Sequence, residues 1–168
     1  MSSAGPADTS AEGRSTVDVL RRALIGLVAI AAAGTGLELV LLRHWDNALE
    51  WIPFAALVVL GLAVVVLAVR PGRRAVRFVR ILAVLVAIVG AIGVFIHVRS
   101  NYETAPLDFR YTDSWPTTAE PIRWLLAATD TVGPSPTLAP AAITFAAIAL
   151  LAATLRHPAL LEDGSPEP

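Results

Sequence analysis

Glu38 is the first candidate for a functional residue in this chain. It is a lone carboxylate in the apolar stretch AAAGTGLELVLLRHW at 31–45. An ionisable side chain at the centre of a spanning helix costs about 2.5–3.5 kcal/mol, and less toward the interface. A carboxyl in such a place is therefore protonated or held by a partner, unless its side chain extends to the outer interface. The candidate partners are His97 and Arg99, and His44 follows the same stretch.

No catalytic motif accompanies Glu38. The GTG at 34–36 lacks the third glycine and the preceding strand of a dinucleotide fingerprint. Walker A, G-x-S-x-G and H-E-x-x-H patterns do not occur, and the absence of cysteine excludes thiolate metal sites. The predicted topology places His157 on the other membrane face from His44 and His97, which argues against a three-histidine metal site. We therefore expect neither an enzyme nor a cofactor or metal.

Four apolar runs are the elements that position Glu38. The chain has 168 residues, of which 55% are hydrophobic and 16% charged, whereas soluble domains average about 45–50% and 25%. Each run of about 18–20 residues would give a helix of roughly 27–30 Å, close to the hydrocarbon thickness. The sequence predicts an all-α polytopic membrane protein with four transmembrane helices in an antiparallel bundle. The membrane domain is 19–156, with spans at 23–42, 52–69, 81–98 and 137–155.

The first run also has features of a signal peptide. Arg21 and Arg22 precede ALIGLVAI, and AAA follows as a small-residue cleavage site. The apolar sequence nevertheless continues to Leu42, which is long enough to cross a bilayer and favours an uncleaved helix.

Arginine placement predicts the orientation, because loops on the cytoplasmic side are enriched in basic residues. Nine arginines fall on one side of the predicted spans and four on the other, so both termini should be cytoplasmic. All 13 basic residues are arginine, which suggests a GC-rich bacterial genome and hence a bacterial cytoplasmic (inner) membrane. The loop between the second and third runs either fixes the topology or also contacts anionic lipid. Its arginines are Arg70, Arg73, Arg74, Arg77 and Arg80.

The segments outside the runs are expected to be of three kinds. Residues 1–18 are small and polar and should form a disordered cytoplasmic N-terminus, and 157–168 should be a cytoplasmic tail. Residues 99–136 form the one long loop, on the extracytoplasmic side. Within it PIRWLLAAT, at 121–129, predicts a short surface helix with Trp124, Leu125 and Ala128 on its apolar side, preceded by a TTAE capping box.

Counting residues from the arginines at the start of each run predicts that Glu38 and His97 lie at the same depth in the membrane. Glu38 lies 16 residues beyond Arg22, and His97 lies 17 beyond Arg80, on helices that run in the same direction. Small residues next to each let helix backbones approach closely. We therefore expect the first and third helices to pack together, with Glu38 bonded to His97, Arg99 or a loop backbone group. The glycines of these faces are Gly34, Gly36, Gly90 and Gly93.

The run GTGLELVLLRHWDNALEWIP, from Gly34 to Pro53, resembles small uncharacterised bacterial four-helix integral membrane proteins whose first helix ends in a Gly-rich, Glu-containing stretch. The resemblance implies no activity, but it draws attention to Glu38, His44 and Pro53 as matching positions.

Three functions follow as expectations. The first is a non-enzymatic structural or accessory subunit, with the lipid bilayer and other membrane subunits or a second copy as partners. The second is a small transporter or sensor that uses Glu38 as a protonatable or ligand-binding site. The third, an alternative against the expected absence of catalysis, is an enzyme acting on lipid-linked substrates at the outer face through the acidic loop. A net charge of −1 gives no reason to expect nucleic acid.

Overall fold

The structure is a computed structural model that describes the backbone of residues 6–69 and 71–161 and the side chains from residue 16 onward within those ranges. Its helices are α1 Pro6–Leu41, α2 Trp51–Val69, α3 Arg73–Thr104, α4 Glu120–Ala128 and α5 Leu138–Ala153. Short 3-10 turns occupy Ala48–Glu50, Ala105–Leu107, Trp115–Thr117 and Pro158–Leu160. The described part of the chain contains no strand, so the predicted all-α class is confirmed.

Three of the helical segments are long and apolar enough to cross a membrane: Thr16–Leu41, Ala48–Val69 and Arg73–Leu107. They indicate a membrane protein. The fourth predicted run forms α5, whose 16 residues give a helix of about 24 Å, shorter than a typical hydrocarbon core.

Helices α1, α2, α3 and α5 form a ring in chain order. Each packs against its neighbours in sequence, α5 closes the ring against α1, and α2 also reaches α5 across one diagonal. The expected packing of the first helix against the third is therefore wrong. Short connections make successive helices neighbours, and the first and third helices of such a ring lie on a diagonal.

Two glycines of α3 allow α5 to approach closely. A Cβ on Gly90 would lie 2.4 Å from Thr144 Oγ1 and 3.1 Å from the Pro140 carbonyl oxygen, and a Cβ on Gly93 would lie 3.1 Å from Pro140 Cβ. These glycines thus face α5 rather than α1. The start of α5 thus meets the middle of α3, whereas Thr154, just after the end of α5, meets Arg80 near the start of α3, so the two helices are antiparallel.

The glycines of α1 do not form the expected face either. A Cβ on Gly36 would meet Leu57 of α2 at 3.6 Å, whereas one on Gly34 would meet nothing within 4 Å among the described residues. Gly34 is exposed, so its predicted role in packing inside the chain is wrong.

The terminal segments are more ordered than expected. Helix α1 begins at Pro6, so the prediction of disorder is wrong for 6–18, while 1–5 lie outside the described residues. Proline is well tolerated in the first turn of a helix, and extending an existing helix costs much less than nucleating one. The predicted tail likewise continues as a 3-10 turn at Pro158–Leu160, and 162–168 are not described.

The turn between α1 and α2 is fixed by local hydrogen bonds. Arg43 adopts a left-handed conformation with φ 52°, and the His44 N–H donates to the Leu39 carbonyl at 3.0 Å, as in a Schellman motif. Asn47 Oδ1 then accepts from the Leu49 and Glu50 N–H groups, and Glu50 reaches back to the Asp46 N–H at 2.7 Å. Pro53 lies in the first turn of α2.

Candidate functional site

Glu38 lies on the exposed face of α1, near its C-terminal end. Its carboxylate has no hydrogen-bond or salt-bridge partner among residues 16–69 and 71–161; its backbone carbonyl accepts from the Leu42 N–H at 2.9 Å. The expected bond to His97 or Arg99 is therefore wrong, because α1 and α3 lie on a diagonal of the ring. Gly34 and Ile30 share this exposed face at helical spacing.

His97 and Arg99 bind other groups. His97 Nδ1 donates to the Pro136 carbonyl oxygen at 2.7 Å, just before α5. Arg99 Nε donates to Glu103 at 2.7 Å in an exposed pair on the same helix, which is worth about 0.3–0.5 kcal/mol. His44 is half-buried behind the C-terminal cap of α1. The candidate polar residues are thus not brought together.

The residue that organises the cap, which we define as residues 101–137, is Asn101, and its side chain is fully buried. Its Nδ2 donates to the Ser135 carbonyl at 2.8 Å and, more weakly, to the Ala127 carbonyl and Asp130 Oδ1. Its Oδ1 accepts from the Ser135 N–H at 2.8 Å. One side chain therefore connects α3 to α4 and to the segment before α5.

Aromatic side chains form the apolar part of the cap. Tyr102 stacks on Trp124 with ring centroids 4.5 Å apart and meets Trp115 edge-on at 5.5 Å. The Arg123 guanidinium lies 5.8 Å from the Tyr102 ring centroid and 5.9 Å from that of Trp115, within cation–π range. Arg123, Trp124 and Ala127 therefore form the inward side of α4.

Of the three residues predicted on the apolar side of α4, Trp124 packs inward, whereas Leu125 and Ala128 are exposed. The expected TTAE capping box is wrong, since the residue that caps α4 is Ala119 and both threonine hydroxyls donate to the Ser114 carbonyl. Proline at the second position of α4, Pro121, supplies the helical φ in place of a side-chain cap.

An ion pair closes the loop side of the cap. Arg110 donates to Asp108 through Nε at 3.0 Å and Nη2 at 2.6 Å, and Nη2 also reaches the Thr131 carbonyl at 3.0 Å. Hydrogen bonds from the Arg110 side chain and backbone hold the pKa of the Asp108 carboxyl below its usual value. This loop carboxylate is therefore ionised at neutral pH and already engaged.

At the opposite end of the bundle, two arginines bind the C-terminal carbonyls of α5. Arg21 of α1 donates to the Ala153 carbonyl at 3.1 Å and the Arg156 carbonyl at 3.2 Å. Arg80 of α3 donates to Thr154 Oγ1 at 2.9 Å and to the Thr154 carbonyl at 2.6 Å. A helix C-terminus carries partial negative charge, and the last turn of α5 holds no basic residue of its own. We call this region the arginine end.

His157 is buried between the two arginines, with 7% of its surface exposed. Its Nδ1 accepts from the Ala159 N–H at 3.3 Å. Burial lowers the pKa of the His157 imidazole, and the positive charges of Arg21 and Arg80 lower it further. The ring is therefore neutral at pH 7, so the predicted tail begins with a buried structural residue.

An open cavity of about 1120 Å³ adjoins the arginine end. Its lining includes Arg21, Arg22, Arg73 and Asp18, together with apolar side chains of α1 and α2. Of the arginines predicted in the α2–α3 loop, Arg73 lines this cavity and Arg80 holds α5. Arg74 and Arg77 are exposed, and Arg70 lies outside the described residues.

The described side chains include no group of three histidine, aspartate or glutamate residues that could hold a metal. Comparisons of the chain with protein-family models, with characterised proteins and with solved structures find no match. The geometry of the chain must therefore supply the functional argument. Sequence reasoning missed Asn101 and Arg21 as organising residues. The only sequence signal for Asn101 was an amide just after an apolar run, and Arg21 was interpreted as part of a topology or signal-peptide pattern and not as a helix contact.

Proposed function

We propose that this chain is a non-enzymatic integral membrane protein that serves as an accessory subunit of a membrane complex. In this proposal the exposed face of α1 around Glu38 binds a helix of another membrane protein. The observation that carries the proposal is the carboxylate of Glu38, which has no partner among the described residues although it lies within a membrane-spanning segment. Intramembrane carboxylates are normally paired or face a bundle interior.

The neighbouring residues of α1 support helix docking. Gly34 lies one turn before Glu38, and Gly26 two turns before that, and a Cβ on either would meet no described residue within 4 Å. Small residues on an exposed helix face permit a close approach by another helix. A partner that offers a cation or a hydrogen-bond donor at the level of Glu38 would satisfy the carboxylate.

The proposal includes four membrane crossings, with the arginine end cytoplasmic and the membrane that of a bacterial cell. Support for a crossing by α5 comes from its contacts with α3. The C-terminus of α5 meets Arg80, and the segment before α5 meets His97. Between these two residues α3 rises about 26 Å at 1.5 Å per residue, so α5 extends along nearly the whole predicted third span. The nine-to-four division of arginines supports the orientation.

The alternative, a small transporter or sensor with Glu38 as its protonatable site, fits the geometry less well. A transport carboxylate normally faces the bundle interior or a water-filled path, whereas Glu38 is exposed on the outside of α1. The likeness of 34–53 to uncharacterised bacterial membrane proteins is consistent with either function and favours neither.

Affinity purification in mild detergent tests the proposal with three variants. We expect the native chain to retain a larger membrane protein, and Glu38→Leu to reduce its recovery about three- to fifteenfold, as expected for a polar contact in a membrane. Glu38→Gln should retain more partner than Glu38→Leu, because an amide can still form hydrogen bonds. The matched control is Glu103→Gln, which changes an exposed carboxylate away from α1 and should leave recovery unchanged.

Two outcomes would count against the proposal. If Glu38→Leu retained its partner as fully as the native chain, the α1 face would not be the docking surface. If instead the purified chain alone carried protons across vesicle membranes, and Glu38→Gln abolished that flux, the transporter interpretation would replace the accessory one.

A further inference from the structure

Arg123 is a half-buried cation without a counter-charge in the part of the chain that the structure describes. Its Nε is buried and has no hydrogen-bond partner, and no described residue forms a hydrogen bond or an ion pair with its guanidinium group. Each of the other half-buried arginines interacts with another group of the protein; they are Arg21, Arg73 and Arg80. Because buried charges in proteins are normally paired, the donors of Arg123 are available to an anion from outside the described chain.

The aromatic part of the cap holds the Arg123 guanidinium in place. The guanidinium lies 5.8 Å from the Tyr102 ring centroid and 5.9 Å from that of Trp115, and Tyr102 is itself stacked on Trp124. A guanidinium that rests on aromatic rings loses part of its hydration, while its N–H groups can still donate in the guanidinium plane. Such a group binds an oxyanion more strongly than a fully hydrated arginine does, because water competes less for its donors.

The carboxylates of the cap do not neutralise Arg123. Three of the five are held by other donors: Glu103 by Arg99, Asp108 by Arg110 and Asp130 by Thr137. The other two, Asp113 and Glu120, are exposed and form no ion pair with Arg123. The positive charge of Arg123 is therefore not cancelled within the cap.

Helix α4 lies at the depth expected for lipid headgroups. The segment Arg73–Leu107 has 35 residues, so it is roughly 52 Å long and extends well beyond a hydrocarbon core of about 30 Å. It meets α4 through Asn101, which bonds Ala127, and through Tyr102, which stacks on Trp124. These contacts lie about 5–6 Å beyond the end of the predicted third span at 98, and the headgroup region adds about 5–7 Å on each side of the core.

The outward face of α4 is apolar. Ile122 and Leu125 are 52% and 61% exposed, although Arg123 and Trp124 between them face inward. A helix at the membrane surface inserts such side chains into the boundary between headgroups and acyl chains. A soluble anion would make no use of these side chains, so they favour an anion that belongs to a lipid.

We propose that Arg123, resting on the rings of Tyr102 and Trp115, binds the phosphate group of a membrane lipid at the cap end of the bundle. Guanidinium groups suit phosphate oxygens because they donate two parallel hydrogen bonds. A free phosphate ion offers the same oxygens, and the depth and apolar outward face of α4 favour the lipid as the source. The proposal uses the membrane crossing by α3 and is independent of the proposed docking of a helix at Glu38.

The experiment titrates the full-length protein in detergent with dioctanoyl phosphatidylglycerol and follows tryptophan fluorescence. The chain has four tryptophans, so replacing Trp45 and Trp51 with phenylalanine leaves only Trp115 and Trp124, which lie at the proposed site. Dioctanoylglycerol, which lacks the phosphate, and inorganic phosphate serve as comparison probes. We expect phosphatidylglycerol to change the emission with a saturable midpoint, and dioctanoylglycerol not to do so.

Three variants test the residue. Arg123→Gln should weaken phosphatidylglycerol binding about tenfold, the typical effect of losing a hydrogen bond to a charged group. Arg123→Lys keeps the charge but loses the paired donors, and should weaken binding about threefold. The matched control is Arg99→Gln, which removes the same charge from an exposed position on α3 near the cap and should change binding less than about twofold.

Equal weakening by Arg99→Gln would overturn the proposal, because only bulk charge would then matter, and so would equal affinity for dioctanoylglycerol. If inorganic phosphate displaced the lipid at matched concentrations, a soluble phosphate would replace the lipid as the source. Hydrogen exchange in Glu120–Ala128 shows whether each variant keeps the cap folded; if Arg123→Gln does not, native affinity in Arg123→Lys would still refute the guanidinium contact. Glu38→Leu should leave lipid binding unchanged, which separates this site from the docking surface.

Discussion

Replacing Asn101 with alanine should loosen the cap while leaving most of the bundle intact. The change removes two short hydrogen bonds with Ser135, at 2.8 Å each, and two longer ones to Ala127 and Asp130 at 3.2 and 3.3 Å. Taking about 1 kcal/mol for each short bond and about 1 for the long pair together gives a loss of roughly 3 kcal/mol, before any cost of leaving the Ser135 N–H unpaired.

Hydrogen exchange followed by mass spectrometry in detergent provides the assay. A loss of about 3 kcal/mol corresponds to roughly 100-fold weaker protection, and we expect it in Val132–Thr137 but not in α2. The control is Arg99→Ala, two residues away on the same helix, which removes an exposed ion pair worth no more than about 0.5 kcal/mol. Protection that falls less than threefold in the cap, or that falls equally in α2, would refute the proposed role of Asn101.

A second substitution at Asn101 tests its donor and acceptor groups separately. Asn101→Asp keeps an oxygen for the Ser135 N–H, loses the amide donors and places a carboxylate next to Asp130. Like charges at this distance disfavour joint ionisation. We expect protection at pH 8 no better than in Asn101→Ala, with partial recovery at pH 5, where a protonated carboxyl can donate again. No difference between the two pH values would contradict the assigned geometry.

Two further predictions concern the helix contacts. Gly90→Ala should lower the apparent melting temperature, because its Cβ would lie 2.4 Å from Thr144 Oγ1 and overpacking of about 1–3 kcal/mol exceeds the gain in helix propensity. Gly34 faces open space among the described residues, so Gly34→Ala should stabilise the protein by about 0.5–1 kcal/mol. If the two substitutions shifted the melting temperature in the same direction, the described packing would be contradicted. For His157, whose pKa is lowered in the fold, the unfolded chain binds the proton more readily. The free energy of unfolding should therefore fall as the pH drops below about 6.5. An asparagine at 157 can still accept the Ala159 N–H, so His157→Asn should make that fall smaller in thermal unfolding measured from pH 8 to 5.

The apolar helices could be predicted from the sequence, because a helix that crosses a bilayer requires an uninterrupted apolar run of about 20 residues. The second run, 52–69, nearly coincides with α2 at Trp51–Val69. The first and third helices extend beyond their runs, since Pro6–Leu41 and Arg73–Thr104 continue through polar residues with adequate helix propensity. Hydropathy identifies the part of a helix that suits the bilayer, but it does not show where the same helix ends outside the bilayer.

The contacts between helices could not be predicted in the same way. Equal depth suggested that Glu38 and His97 meet, but depth fixes only one of the three coordinates that a contact requires. The position of each helix around the ring depends on which helix faces fit together. Gly90, for example, packs where Pro140 and Thr144 of α5 leave room only for a residue without a side chain. Arginine position along the chain likewise could not distinguish Arg80, which holds α5, from Arg77, which is exposed.

The polar side chains suggest a division between structure and function. Arg21, Arg80, His97 and Asn101 all donate to backbone carbonyls at one end or the other of α5. Helix α5 packs closely against α1 and α3 through small buried side chains such as Ala146 and Ala147, and hydrogen bonds from α1 and α3 hold both of its ends. Glu38 takes no part in this arrangement. Because no residue that the structure describes bonds to its carboxylate, a substitution at Glu38 can report on binding to a partner with little disturbance of the bundle, which substitutions at the four α5 contacts cannot do.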